Sequence, residues 1–375
     1  MGALPSPLKA DWLADAPASD LAAHCDGLLV AYSGGVDSTV LLGLLVAARN
    51  DGSPPFVSVR PALAAVHVHH GLLTEADGWA QHAKEQCAAW GVPCFVKRVR
   101  VDSDVVQAKG LEAAARAARY QAIADVARCW GDELRRDDPR RPVRIAVVLA
   151  HHRDDQVETF WFRLLRGAGV RGLTAMAPWA PMSMQKEDPS LILFLWRPLL
   201  ALPKAWLIAY AQKQHLFWVE DPTNATYGEA ESSRFRRNLL RQRLLPELRR
   251  FFPGVDRVTL RTIETMNETQ RCLDDLAVQD DAALTHPAGG WHAQHFFALA
   301  AHRQHNLIRW AIHCQRKLPP PQARLIAALR QLASATTQRQ VALTPAIALV
   351  ADRERIWLMF GKQQTIPELF CPDKV

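Results

Sequence analysis

Four apolar runs, each followed by a stretch with helical spacing, constrain this chain most. LLVAY (28–32), ALAAVHV (62–68), CFVKRVRV (94–101) and RIAVVLAHH (144–152) read as strands. Segments 36–49, 75–91, 110–130 and 154–167 read as the helices that follow them. Strands alternating with helices imply a parallel sheet covered on both faces, so the expected fold class is α/β. LILFLW and a helix after Pro203 extend this part. From residue 233 the pattern is mainly helical, over 233–250, 254–281, 295–316 and 322–334. The tail segments VALTPAIALV and RIWLMF alternate and read as a short hairpin. The expected divisions are a catalytic domain at 1–232, a helical domain at 233–335 with a basic linker helix at 233–250, and a β-rich tail at 336–375.

In such sheets, ligands sit beyond the carboxyl ends of the strands. SGG follows the first strand, His67 to His70 follow the second, and His151 to Asp155 follow the fourth. Polar groups thus gather at one sheet edge from three places. The first of them, Ser33-Gly34-Gly35-Val36-Asp37-Ser38, lacks the lysine of a Walker loop and the G-x-G-x-x-G spacing of a dinucleotide loop. It keeps the physics of anion binding. Two glycines let backbone N–H groups approach an oxyanion, and the helix from Val36 adds its positive end. Ser33 and Ser38 add hydroxyls. Asp37 repels phosphate unless a cation lies between them, which points to Mg²⁺. A tight turn with a serine cap explains SGG alone; it explains strand–SGGxDS–helix poorly.

Charge locates a second function. The chain carries a formal +7, yet seven arginines and one acid between Arg234 and Arg250 account for +6 of it. Charged faces on solvated helices usually mix signs. Here Arg234, Arg236, Arg237, Arg241 and Arg243 crowd together, which suits contact with a polyanion. Seven scattered cysteines with no C-x-x-C pair argue against a disulfide framework, a zinc ribbon or an iron–sulfur cluster. They suit a reducing cytoplasmic compartment. No secretory leader and no apolar run of about 18 residues is seen, so no membrane partner is expected. His67, His69, His70, His151 and His152 also allow a different reading, a metal-dependent phosphoesterase. That reading leaves SGGVDS and the arginines without a role.

SGGVDS resembles the PP-loop of the N-type ATP pyrophosphatases, which split ATP between the α- and β-phosphates. The cysteines argue against a thiolase, and Gly2 against an asparagine synthetase. HVHHGL (67–72), GLEAAARAARY (110–120), AHHRDDQVET (150–159), RLLRGAGVRGLTAM (163–176), RPLL (197–200), WVEDPTN (218–224) and SRFRRNLLRQRLLP (233–246) resemble, in order, the tRNA(Ile)-lysidine synthetase family. The resemblance covers roughly 25–250. It implies ATP and Mg²⁺ as cofactors. The implied partners are free L-lysine and a tRNA(Ile) with a CAU anticodon. The implied reaction adenylates C2 of cytidine 34; the lysine ε-amine then displaces AMP. Another PP-loop enzyme that adenylates tRNA is the alternative, and an inactive RNA-binding protein shares the arginines.

The resemblance also implies roles. The loop Ser33 to Ser38 would hold ATP, with Asp37 on the metal. His151, Asp155 and Glu158 are spaced for one helical face, and the two carboxylates would hold or deprotonate the lysine ammonium. Helix capping is the plain alternative, strongest for Asp154. Arg116 would face phosphate or substrate, although a solvated face explains Arg116 and Arg119 equally well. The arginines from 234 to 243 would hold tRNA phosphates. His69 and Leu73 stand where the family has Asn and Arg. Segments near 51–61, 131–143 and 181–190 look like insertions. No counterpart of the longer members' extra globular domain follows ADRERIWLMF, and the sequence leaves monomer or homodimer open.

Overall fold

The computed structural model describes residues 13, 16–57, 61–69, 75–100, 111–138, 140–182, 188, 190–220, 236–334 and 337–361, with backbone alone at 111–113 and 236. The chain forms two compact units, Met1–Ile263 and Glu264–Val375.

The first unit carries α1 (Ser19–Ala23), β1 (Gly27–Ala31), α2 (Val36–Asp51), β2 (Ala62–His69), α3 (Ala76–Ala89), β3 (Cys94–Arg98) and α4 (Leu111–Leu134). It continues with β4 (Val143–Val148), α5 (Arg153–Leu164), α6 (Val170–Leu173), β5 (Trp179–Pro181), β6 (Leu191–Trp196) and α7 (Lys204–Lys213). The six strands lie in the order β3-β2-β1-β4-β6-β5. Every pair is parallel except β5 with β6. The four apolar runs are therefore the parallel strands expected, and β5 is an antiparallel edge that the sequence did not announce.

Alternation sorts the side chains. Leu28, Val30, Ala65, Ala146 and Val148 face a core shared with α2, α3 and α7. Leu29, Ala64, Val66, Ile145 and Val147 face α4. Period-two alternation on a doubly covered sheet needs apolar residues at both phases, which is why these strands read as continuous apolar runs. The central β1 ends at the glycine loop, between the ends of β2 and β4.

The basic segment is helical from Arg236, as α8 (Arg236–Leu239) and α9 (Leu245–Phe251) joined by a π turn over Leu240–Leu244. The widened turn is marked by Leu245 N–H donating to the Leu240 carbonyl. Pro246 supplies the cause: it has no N–H for the carbonyl four residues back, and its ring crowds that carbonyl. Leu240 and Leu245 are buried against Val157 of α5, with Trp161, Phe162, Leu248 and Leu260 around them. This packing places the arginine segment in the first unit rather than at the head of a second domain. The division falls within α10 (Val255–Leu284).

The second unit adds β7 (Trp291–His292), α11 (Ala293–Ala298), α12 (Ala301–Cys314), α13 (Gln322–Leu332), β8 (Arg339–Thr344), β9 (Ile347–Ala351) and β10 (Arg355–Phe360). The expected helix at 295–316 is two helices, because Leu299 and Ala300 adopt extended ψ values of 147° and 142°. The tail is more than a hairpin. Its antiparallel sheet runs β7-β10-β9-β8. VALTPAIALV folds back on itself where Pro345, which cannot donate to a ladder, interrupts it. Leu349, Ile356 and Leu358 share one core with Trp310 and Leu325, so the strands and helices of this unit are one body.

Candidate functional site

The glycine loop is held by its own side chains. The Ser33 N–H donates to Ser38 Oγ at 3.2 Å, and Ser38 Oγ donates to the Gly35 carbonyl at 3.0 Å. Ser33 and Ser38 hydroxyls lie 3.0 Å apart. Thr39 Oγ1 donates to the Gly34 carbonyl at 3.3 Å, and the Val219 N–H to the same carbonyl at 2.9 Å. Gly34 adopts φ +87°, a conformation that suits glycine. The serines expected to contact an anion thus shape the loop here, and Ser38 is buried. Anion donors remain in the backbone: the N–H groups of Val36, Asp37 and Ser38 open α2 and have no carbonyl a turn behind them.

Asp37 is the second residue of α2. Its Oδ2 lies 3.4 Å from Lys204 Nζ and 3.7 Å from His152 Nε2. Its Oδ1 is buried without a hydrogen-bond partner among the described residues. A buried carboxylate oxygen left unpaired is rare and calls for an absent ion or water.

The β4 end divides its neighbours between two residues. His152 caps α5 and lies near Asp37, Asp154 and Asp155. His151 precedes the helix rather than riding on it, so it does not continue the face of Asp155 and Glu158. Burial pushes the His151 ring down to about 3, against Asp155, which opposes this, and with Arg197, Arg116 and Arg119, which reinforce it. His151 is therefore neutral, and its Nδ1 has no partner among the described residues.

The acids have defined duties. Asp155 Oδ2 accepts the His152 N–H at 3.0 Å, so it caps its own helix. Asp154, the stronger expectation for that role, instead accepts the Lys204 N–H at 2.9 Å and caps α7. Burial alone would raise the Asp155 carboxyl; His152, His151 and Arg241 outweigh it and hold the group below its ordinary value. Glu158, 4% exposed, receives Arg241 Nε–H at 2.5 Å and Nη2–H at 2.8 Å. Arg241 also reaches Asp155 Oδ1 at 3.4 Å. This pairing with Glu158 raises the guanidinium above its ordinary value.

Three further arginines, Arg116, Arg119 and Arg197, stand near His151, and Arg237 stands near Arg119. Arg116 donates to the Tyr120 hydroxyl at 3.2 Å and lies over its ring at 5.1 Å, with Arg119 at 5.8 Å. Arg197, buried at the end of β6, donates to the Ala177 carbonyl at 2.7 Å. Arg237 donates to Thr159 Oγ1 at 3.1 Å.

With this geometry in hand, the comparisons are specific. The PP-loop domain family matches residues 14–248, and the TilS substrate binding domain family matches 292–357. The tRNA(Ile)-lysidine synthase of Alkalilimnicola ehrlichii is 40% identical over 332 residues, 88% of this chain and 66% of that protein. The enzyme of the same name from Aromatoleum aromaticum is 38% identical over 333 residues, 88% of this chain and 68% of that protein. The chain belongs to the tRNA(Ile)-lysidine synthase family. It spans about two thirds of the length of these curated relatives. A solved U34-tRNA thiolase from Methanococcus maripaludis overlaps 69% of this chain and 78% of that one, at 15% identity and TM-score 0.48.

In this lysidine synthase family member, the first unit gathers Asp37, Asp155, Glu158, Arg237 and Arg241 around α5. Arg243 is exposed beside an apolar groove of about 590 Å³ lined by Phe162, Leu165, Leu239, Leu240 and Leu244. Arg234, the Arg236 side chain, His70 and Leu73 lie outside the described residues. His67 and His69 hold structure: His67 Nδ1 meets the Tyr32 carbonyl at 3.0 Å, and His69 Nε2 meets Asp77 at 3.2 Å. Among the described residues no three His, Cys, Asp or Glu are grouped to hold a metal. No helix of the described residues is long and apolar enough to cross a membrane.

Sequence reasoning missed Lys204, Arg197 and His82. Lys204 follows a proline at a helix start, a position with no distinctive pattern. Arg197 opens the RPLL motif but carried no assigned role. The His82 ring lies 3.6 Å from where a Gly34 Cβ would stand, and its Nε2 is buried without a hydrogen-bond partner among the described residues. Only the fold brings α3 to the glycine loop.

Proposed function

We propose that this chain joins lysine to a tRNA(Ile) cytidine in two steps on one site. The C2 oxygen of cytidine 34 in a CAU anticodon attacks the α-phosphorus of ATP, and pyrophosphate leaves. The lysine ε-amine, after losing a proton, attacks C2, and AMP leaves with the oxygen. The observation that carries this reading is the placement of a carboxylate pair, Asp155 and Glu158, across the His152 ring from the glycine loop: His152 Nε2 lies 3.7 Å from Asp37 and 3.5 Å from Asp155. A pyrophosphatase needs only the loop; an amine ligase also needs groups that hold an ammonium and take its proton.

The loop amides of Gly34 to Ser38 would cradle the departing pyrophosphate, with Ser33 and Ser38 fixing the loop's shape. Asp37 fits Mg²⁺, because its Oδ1 is buried and unpaired and because Mg²⁺ is commonly bound by one carboxylate plus substrate phosphates. Mg²⁺ there would neutralise charge on the leaving group. Lys204 adds a second cation beside Asp37.

Arg241 occupies the acid pair. A lysine ammonium entering there must share or displace it, so Arg241 belongs with the lysine site more than with tRNA phosphates. Arg234, Arg236, Arg237 and Arg243 are left to contact RNA. The homodimer and the cytoplasmic setting are part of the same proposal.

The first step tests the reading by itself. ATP labelled at the α-phosphate, Mg²⁺ and an unmodified CAU-anticodon tRNA, without lysine, should give RNA carrying labelled AMP. Label that ignores the anticodon, or release of ADP, contradicts the reading.

A further inference from the structure

Several arginines of the first unit have an acid of their own, unlike those near His151. Arg98 pairs with Asp77, Arg135 with Asp132, Arg141 with Asp26 and Arg249 with Asp256. Arg116 and Arg119 instead lean on the neutral ring of Tyr120. Arg197 is 7% exposed and donates to a backbone carbonyl, while its Nε is buried with no partner among the described residues. Arg237 Nε is also buried without a hydrogen bond, 3.8 Å from a Glu158 oxygen that Arg241 already engages. The acids nearest the group, Asp155 and Glu158, are thus committed to His152 and Arg241. Burial lowers Arg197 and Arg119 below their ordinary values, with neighbouring arginines adding to it and Tyr120, hydrogen-bonded to Arg197, acting against it.

A buried N–H donor without a partner is costly, and an anion would complete those of Arg197 and Arg237. We propose that Arg119 and Arg197, together with Arg116 and Arg237, form a second phosphate site that takes a phosphodiester of the RNA strand beside the target base. This rests on the proposed reading of the chain as an RNA-modifying enzyme. Two features favour the RNA over the phosphates of ATP. The glycine loop already has its own donors, on the α2 side of the sheet, whereas Arg116 and Arg119 ride on α4, on the opposite face. Arg237 comes from the basic segment, which links this pocket to the other RNA-facing arginines. Neutral His151 adds an uncharged polar wall that admits an anion without competing for it.

The test compares Arg197→Gln and Arg119→Gln with the unmodified chain. Three affinities are measured: a CAU anticodon stem-loop across a salt series, an ATP analogue with Mg²⁺, and lysine as its KM in the full reaction. Both variants should bind the stem-loop on the order of tenfold more weakly. The salt slope should fall by somewhat less than one per arginine lost, which a purely structural role would not produce. ATP-analogue affinity should be unchanged. Weaker ATP binding with RNA binding intact assigns the pocket to the nucleotide and overturns the proposal. A raised lysine KM with RNA and ATP binding intact assigns it to the amino acid's carboxylate and also overturns it. Unchanged binding of all three makes the arginines structural. Arg119 is only half-buried, so Arg119→Gln decides the matter if Arg197→Gln fails to fold. An unmodified chain that binds the stem-loop but transfers no lysine would undo the wider reading and leave the pocket assignment standing.

Discussion

Arg241 grips Glu158 with two parallel donors, Nε–H to Oε1 at 2.5 Å and Nη2–H to Oε2 at 2.8 Å. The geometry is the fork-to-carboxylate pairing that only arginine makes. It joins the π turn of the basic segment to the middle of α5, and so ties RNA-facing sequence to the proposed lysine site. The π turn is the local consequence of Pro246.

Glu158→Gln should therefore act twice. Losing the charge-assisted pair at a buried carboxylate should cost about 1–3 kcal/mol of stability, read from urea unfolding. It should also raise the lysine KM while leaving formation of adenylated RNA intact. Arg241→Ala should lower the lysine KM, because the acids are freed for the ammonium. Equal loss of both steps in Glu158→Gln would contradict the division of labour.

Gly34→Ala should weaken ATP binding and destabilise the first unit. A Cβ there meets the His82 ring at 3.6 Å and Val219 at 3.9 Å, which are ordinary contacts. The penalty comes from φ +87°, which costs an L-residue about 1–2 kcal/mol. Calorimetric titration with an ATP analogue, beside a urea midpoint, measures both.

Arg243 lies exposed at the rim of the apolar groove. Arg243→Ala should weaken tRNA binding and reduce its salt slope by about 0.7–0.9, with the lysine KM unchanged. Filter binding across a salt series reads the slope directly.

Acid should destabilise the first unit through His151. Its ring is held down to about 3 in the folded chain and titrates near about 6.5 when unfolded. Between those values the unfolded chain binds more protons, so stability rises with pH across the window. His151's contribution is complete above about pH 6.5 and lost as pH falls toward 3. His151→Asn should flatten the pH dependence of the urea midpoint between about pH 5 and 6.5, where Asp155 stays ionised.

The sheet was legible because its strands are apolar at both phases and its helices follow at regular intervals. The SGGVDS loop was legible for a local reason: Gly34 and Asp37 act within six residues of sequence. What escaped depends on distance in sequence. Asp154 caps a helix that begins fifty positions later, so its own helix start suggested the wrong partner. Arg241 looked like one more phosphate contact because a run of arginines gives no sign of which member pairs with Glu158. Packing of Leu240 and Leu245 on Val157 decides that, and it cannot be read from charge. Lys204 and His82 reach the loop through α7 and α3, and nothing in their own neighbourhoods marks them. The antiparallel tail was legible from its alternation, but its extra strand was not, because Pro345 sits inside an alternating run.

The central claim is that one site adenylates a single cytidine and then joins lysine to it as AMP leaves. The most direct measurement is mass analysis of nucleosides from an unmodified CAU-anticodon isoleucine tRNA, treated with the chain, ATP, Mg²⁺ and isotopically labelled lysine. The account predicts labelled lysine on the cytidine at position 34 alone, with one AMP and one pyrophosphate formed per lysine joined. Lysine on other tRNAs regardless of anticodon, or ADP as the nucleotide product, would contradict it.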